Sequence, residues 1–307
     1  MECAESVWTV CAGASCLAWW LLSVAIAVLA VKWLPDAVSR FIKYRGPTAA
    51  VLKKDWKKDV VYLYQFPRSK HVPNISPFCL KVETWLRLAG LQYEVIPTFI
   101  KRSRLGKVPF VELNGEEFHD SELIIRDLSR LYDKEHLYGS DEEERAKTVL
   151  VGSLIDRSFF PVSLYWRTMI HPKEIFSIDN FGVWWIRFAR PLIVRNAKKI
   201  LTGIMAVVGI DSQGTSFKDL MYFGEQQLQS LATSIGDTPF LLSDAPGVVD
   251  ATVFGHLASL YYLPLPENSP IHYLIDQRFP QIRDYLERVK QRAFPDWDQI
   301  IMKAHED

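Results

Sequence analysis

The stretch NISPFCLKVETWLRLAG, residues 74–90, decides how the whole chain is read. Phe78, Val82, Trp85, Leu86 and Ala89 recur at helical spacing, so they line one face of a helix. Asn74 or Ser76 caps its start. Pro77 fits the first turn, where its missing N–H would have had no helical partner, and Gly90 stops the helix. Ser76 and Cys79 therefore sit at the positive end of a helix dipole, where anions are favoured. Chemistry, ligand binding and simple capping are all open to that start.

Outward from this helix the pattern is that of strands. Residues 60–66 and 93–96 are rich in β-branched and aromatic side chains, and residues 108–113 give a third strand. Asn114-Gly115 is a hairpin turn, and residues 116–119 return as a fourth strand. Asp120-Ser121 open a second helix that runs to Tyr132, with Leu123, Ile124, Leu128 and Leu131 on its buried side. The first strand–helix–strand connection requires a right-handed parallel crossover. Beyond Asp141 the pattern changes to long helices at 141–170, 181–208, 216–234, 249–262 and 271–293. Strands and helices are segregated, which fits two packed domains better than one doubly wound sheet. The boundaries expected are 1–56 for an anchor and linker, 57–136 for the small α/β domain and 137–307 for an all-α domain.

Composition narrows the function. The 307 residues carry 36 basic and 36 acidic side chains, without the cationic surplus that phosphate contacts require, so a nucleic-acid partner is not expected. With 10 Trp, 12 Tyr and 17 Phe, the chain has the aromatic content of a folded core. Cys3, Cys11 and Cys16 lie near the start, leaving Cys79 alone in the bulk of the chain, so that bulk holds no internal disulfide. This suits a reducing compartment. The seven histidines show no ligand spacing, and no metal is expected.

The front of the chain reads as an anchor. Residues 6–31, SVWTVCAGASCLAWWLLSVAIAVLAV, contain no charged side chain over 26 positions, where about 20 suffice to span a bilayer. A cleaved signal peptide is the rival, but Glu2 and Glu5 stand where its basic region belongs. Residues 32–58 hold eight basic and two acidic side chains, and basic flanks stay cytosolic. The expected topology is a single pass with the large domain in the cytosol, at the endoplasmic reticulum, plasma membrane or mitochondrial outer membrane. Further along, Trp184-Trp185 through Lys199 mixes aromatics with cations. Such a helix either apposes a membrane or, in the ordinary arrangement, turns its aromatics inward and leaves Arg187, Arg190, Arg195, Lys198 and Lys199 in solvent.

Three stretches together carry a resemblance: VYLYQFPRSKHVPNISPFCLKVETWLRLAG, KVPFVELNGEEFHDSELII and VVDATVFGHLASL. In their order and spacing they resemble the failed axon connections family, relatives of the metaxins, within the glutathione S-transferase fold. The resemblance covers about residues 57 to 300. It implies a thioredoxin-like α/β domain followed by an all-α domain, with the membrane helix in front. It implies a cis bond before Pro109, with the Val108 main chain pairing with the cysteinyl part of glutathione. It implies that Asp120 and Ser121 hold the γ-glutamyl end, and that Ser76 steadies the thiolate as in serine-type transferases. Glutathione is then a ligand or co-substrate, with relatives that commonly dimerise.

Two departures stand out. The loop over 67–75 is longer than a typical transferase has, which suits a cover or a partner surface. Gly247 replaces the hydroxyl residue of the family's helix-capping box, leaving Asp250 to bond back alone. With no cysteine at position 76, a dithiol exchange cycle is not available. The two functions expected are a tethered scaffold in axon development or organelle-surface assembly, and an active transferase joining glutathione to an electrophile.

Overall fold

The computed structural model describes residues 50–181, 184–207, 216–236 and 238–303. The expected membrane anchor at 6–31 lies outside the described residues. Among those described, no helix is long and apolar enough to cross a membrane.

The α/β part runs β1 (Val61–Gln65), α1 (Pro77–Leu88), β2 (Tyr93–Pro97), β3 (Phe110–Leu113), β4 (Glu116–His119) and α2 (Ser121–Leu131). The sheet order is β2-β1-β3-β4, with β1–β2 parallel and the other pairs antiparallel. The β3–β4 turn needs positive φ at Asn114 (50°) and Gly115 (87°), which these two residues tolerate best. β1 is buried along its whole length, as a central strand must be. On one face Val61, Leu63, Val111 and Leu113 lie under α1 and α2. On the other, Tyr62, Tyr64 and Phe110 form a separate cluster, with Tyr64 stacked on Phe110 at 4.4 Å. Both phenols are occupied there. Tyr64 donates to the Glu112 carboxylate at 2.9 Å, and the Tyr62 hydroxyl accepts the Lys57 N–H at 2.8 Å.

α1 departs from the amphipathic helix expected. Val82, Trp85, Leu86 and Ala89 are buried, but so are Leu80, Lys81, Glu83 and Thr84. The reason is its place in the molecule, with the sheet on one side and the helical half on the other. α2 is rotated from expectation. Ile124, Ile125 and Leu128 are buried, while Leu123 and Leu131 face solvent.

The helical half begins with α3, continuous over 142–170 but widened to π-helical turns at Leu154–Phe159 and Trp166–Ile170. Two single-turn helices lead to α4 (Ile186–Val207), then α5 (Phe217–Ile235), α6 (Val248–Tyr261), α7 (Pro280–Ala293) and α8 (Trp297–Lys303). The single helix expected over 271–293 is broken, because Phe279 leaves helical geometry ahead of Pro280. α4 also departs from the ordinary arrangement. Its buried face is formed by Ile186 and Leu201, while Trp184 and Phe188 point outward with the cations.

α6 is buried from Val248 to Leu260 and lies directly on α1. Its start is closed by Asp250, whose carboxylate accepts the N–H groups of Gly247 at 2.7 Å and Leu241 at 3.0 Å and the Tyr285 hydroxyl at 2.8 Å. Glycine at 247 has a steric cause: a Cβ there would come within 2.5 Å of the Leu137 carbonyl oxygen. The tightest approach is at Gly255, whose added Cβ would meet the Lys81 N at 2.6 Å and the Pro77 oxygen at 2.7 Å. Backbone atoms cannot yield as a side chain can. Gly255→Ala is therefore expected to destabilise the protein by about 3 kcal/mol or more, read as a lowered midpoint in urea unfolding.

Candidate functional site

The strand register defines one end of the sheet. Tyr64 pairs with Ile96 on one side and Phe110 on the other, and Phe110 pairs with His119. The residues just past this row are Phe66 after β1, Val108-Pro109 before β3 and Asp120-Ser121 after β4. α1 starts from the same end, because the chain leaving β1 returns to it there. The topology thus brings together Ser76, Val108, Pro109, Asp120 and Ser121, which lie up to 45 positions apart in the chain.

The Val108–Pro109 bond is cis, as the resemblance implied. Among the described residues, no hydrogen bond engages the Val108 N–H or C=O, so this edge has a free donor and acceptor for an extended peptide. Ser76 occupies the N-cap of α1 but makes no side-chain capping bond. Asn74 instead accepts the Ser76 N–H at 3.0 Å and donates to the Phe66 carbonyl at 2.8 Å. The Ser76 hydroxyl lies beside the Cys79 thiol, and the Phe66 N–H also points at that sulfur. Burial nonetheless pushes the thiol up to about 12, so Cys79 stays protonated at neutral pH. It behaves as a core residue, with the half-buried Ser76 hydroxyl beside it.

Asp120 adopts φ 67°, and one carboxylate oxygen accepts the N–H groups of Glu122 at 3.0 Å and Leu123 at 3.4 Å. It caps α2, and its second oxygen remains available. Ser121 is 7% exposed. Together with Asp120 it lines a cavity of about 290 Å³ between the two halves, walled also by Phe78, Ser153, Asp156 and Thr252. The helix N-terminus and an unengaged hydroxyl suit a carboxylate there, and Asp120 suits an ammonium group.

Beneath this cavity lies a charge cluster that sequence reasoning missed. Lys81, fully buried, places its Nζ 2.5 Å from Asp156 and 2.8 Å from Glu122. Asp156 also meets His256 Nε2 at 2.7 Å. Burial alone would raise the Asp156 carboxyl, but His256 and Lys81 outweigh it and hold it down at about 2. Burial would lower the Lys81 ammonium, and its two carboxylates reverse that. For His256 burial prevails, so the imidazole is neutral near pH 7. The available signal was weak: a lysine and a histidine inside otherwise apolar helices.

The long loop packs inward and so departs from a partner surface, one of the two roles its length suited. Val72, Asn74 and Ile75 are buried. Arg68 forms a bidentate pair with the buried Glu83 at 2.5 and 2.6 Å, and Glu83 also accepts from Gln65 and Tyr93. Ser69 reaches Asn180 at 3.0 Å, Lys70 pairs with Asp179 at 3.1 Å, and Arg167 donates to the Ile75 carbonyl at 2.9 Å. The loop therefore stitches the sheet to the helical half. Among the described residues, no group of His, Cys, Asp and Glu forms a metal-binding cluster.

Comparison with known proteins agrees with this fold. The family model for the glutathione S-transferase N-terminal domain matches residues 77–173, and that for the C-terminal domain matches 224–289. Failed axon connections of Drosophila melanogaster is 33% identical over 82% of this chain and 62% of its own length. The chain thus spans less than two thirds of that relative. The isoprene-epoxide–glutathione S-transferase of Rhodococcus sp. is 24% identical over 76% of this chain and 99% of that protein. Metaxin-2 of Mus musculus is 20% identical over 79% and 91% respectively. A glutathione S-transferase from Methylobacterium radiotolerans, solved with glutathione sulfonate, gives a TM-score of 0.51 at 18% identity, covering 78% of this chain and 94% of that one. That likeness shows the fold.

The buried imidazole makes stability depend on pH. Because the folded protein lowers the His256 pKa, the unfolded chain binds a proton that the folded one refuses as pH drops below about 6.5. Stability is accordingly expected to fall between pH 7 and pH 5 from this group. Urea unfolding at the two pH values should show a distinctly smaller loss for His256→Gln, whose amide can still bond Asp156.

Proposed function

Because the chain belongs to the failed axon connections family, related to the metaxins and carrying glutathione S-transferase domains, we propose that it is a membrane-anchored binding and scaffold protein with a glutathione pocket. Residues 6–31 tether it in a single pass, with the folded part in the cytosol. The membrane is that of the endoplasmic reticulum, the cell surface or the mitochondrial outer face. Its biological setting is axon development or organelle-surface assembly, through protein partners and self-association.

The observation that supports the pocket is that unengaged polar groups lie at one end of the sheet: the Ser121 hydroxyl and the second oxygen of Asp120 in the cavity, and the Val108 main chain at the same sheet end outside the cavity lining. These match, in order, the α-carboxylate, the ammonium and the peptide edge of a γ-glutamyl tripeptide. Ser76 stands beside them for the thiol. A binding role is favoured over turnover by the lining of the interdomain cavity. Asp120, Glu122, Asp156 and Arg157 give it charge on one side and Phe78, Tyr138, Val149 and Val248 an apolar side, and among the described residues no group in it is placed to activate a second substrate.

The second reading, a transferase that conjugates glutathione to an electrophile, draws on Ser76 at the positive end of α1 and on the similarity to an epoxide-conjugating enzyme. There Ser76 would donate to the thiolate, and no metal would be needed.

Isothermal titration of the full-length protein with reduced glutathione separates the possibilities. Saturable heat in the micromolar-to-millimolar range is expected, and Ser121→Ala should weaken binding by roughly tenfold, since a hydrogen bond to a charged group is worth about 1.5–3 kcal/mol. A folded protein giving no heat at millimolar glutathione removes the pocket altogether. Conjugation of a generic electrophile that Ser76→Ala abolishes would establish the transferase instead.

A further inference from the structure

α4 presents an outer surface that neither the cavity nor the core uses. Trp184 is 72% exposed and Phe188 76% exposed, and their rings meet edge to face at 6.1 Å. From there the exposed stripe continues at helical spacing through Pro191, Arg195, Lys198 and Lys199. Between positions 184 and 203 there are five cations and no acidic residue. The side chains that hold this helix down, Ile186 and Leu201, lie on the opposite face.

A second element extends the same surface. The connection between β2 and β3 touches the start of α4 through Phe99 and Trp185, whose rings lie 5.4 Å apart. In that connection Ile100 is 74% exposed and Leu105 56% exposed, alongside the exposed Lys101 and Lys107. Two sequence-distant elements, joined by that ring contact, thus each carry outward apolar side chains beside basic ones.

We propose that this region, led by α4, is a docking face for a bilayer surface bearing anionic headgroups. Trp184 and Phe188 enter the interfacial layer, which aromatic rings favour, while Arg195, Lys198 and Lys199 meet the headgroup charge. A second copy of the same face is excluded as the occupant by like-charge repulsion. An anionic bilayer is favoured by charge complementarity and by the chain itself. On the reading that the uncharged stretch 6–31 anchors the chain, residues 32–51 reach at most about 70 Å when fully extended before Leu52 and Lys53 bond Glu112 on the sheet. Docking places the mouth of the β2–β3 connection at the lipid surface and fixes the orientation of the tethered domain.

The test uses the full-length protein in nanodiscs of phosphatidylcholine, with and without phosphatidylserine. Amide hydrogen exchange over 184–203 should slow by roughly tenfold or more in the anionic discs and recover at high salt, since each basic side chain adds to surface attraction. Arg195→Glu/Lys198→Glu/Lys199→Glu should abolish the slowing, and Trp184→Ser/Phe188→Ser should weaken it. Unchanged exchange in α1 and α6 shows that both variants keep the fold. Equal exchange in the two lipids, slowing that survives charge reversal, or slowing that needs an added acidic protein overturns the proposal. The tether is read separately, from whether the chain enters the discs at all.

Discussion

An ammonium group is buried between the two halves of this molecule, out of reach of bulk solvent. Lys81 is fully buried, and it persists there because Asp156 and Glu122 both lie within 3 Å of its nitrogen. Those carboxylates come from α3 and α2, and Asp156 is shared with His256 on α6. Four helices, two from each half of the protein, are thereby held to one charge. The requirement is geometric as well as electrostatic. α6 passes so close to the Lys81 main chain that only glycine fits at position 255. Without that approach His256 could not reach Asp156, and the cavity above the cluster would lose its floor.

The same constraint explains the character of the candidate site. Its thioredoxin-like half offers main-chain and hydroxyl groups of the kind a glutathione-like peptide would use. The helical half supplies a wall whose carboxylates are already engaged by Lys81. This leaves a cavity that combines charged side chains with the apolar Phe78, Tyr138, Val149 and Val248. The long loop after β1 reinforces the rigidity. Arg68 and Glu83 hold it on the sheet side, and Asp179, Asn180 and Arg167 hold it on the helical side.

Legibility in the sequence followed the physical range of each signal. The four strands, the Asn114-Gly115 turn and the starts of α1 and α2 come from short-range preferences, and each lies within a few residues of its expected place. Asp250 closing on Gly247 is likewise local. The break at Phe279 was missed although Pro280 marks it, because the apolar spacing continues across it. The outward turn of Leu123 and Leu131 was missed because their spacing fits a buried face as well as Ile125 does. Only the position of the sheet relative to α2 distinguishes the two.

The amino-acid sequence by itself determined the segregation of a small mixed sheet from a helical half, the family to which the chain belongs, and the residues that gather at the end of the sheet. The first follows from periodicity and turn chemistry, properties of neighbouring residues, and the other two from the order and spacing of the three motifs that carry the family resemblance. Tertiary structure alone decided that Lys81, Glu83 and Arg167 are buried, that the loop over 67–75 folds inward, and that Trp184 and Phe188 face out. Such outcomes depend on which surfaces meet across long sequence separations. A lysine inside a helix reads as solvent-facing until two carboxylates, 41 and 75 positions away, are brought against it.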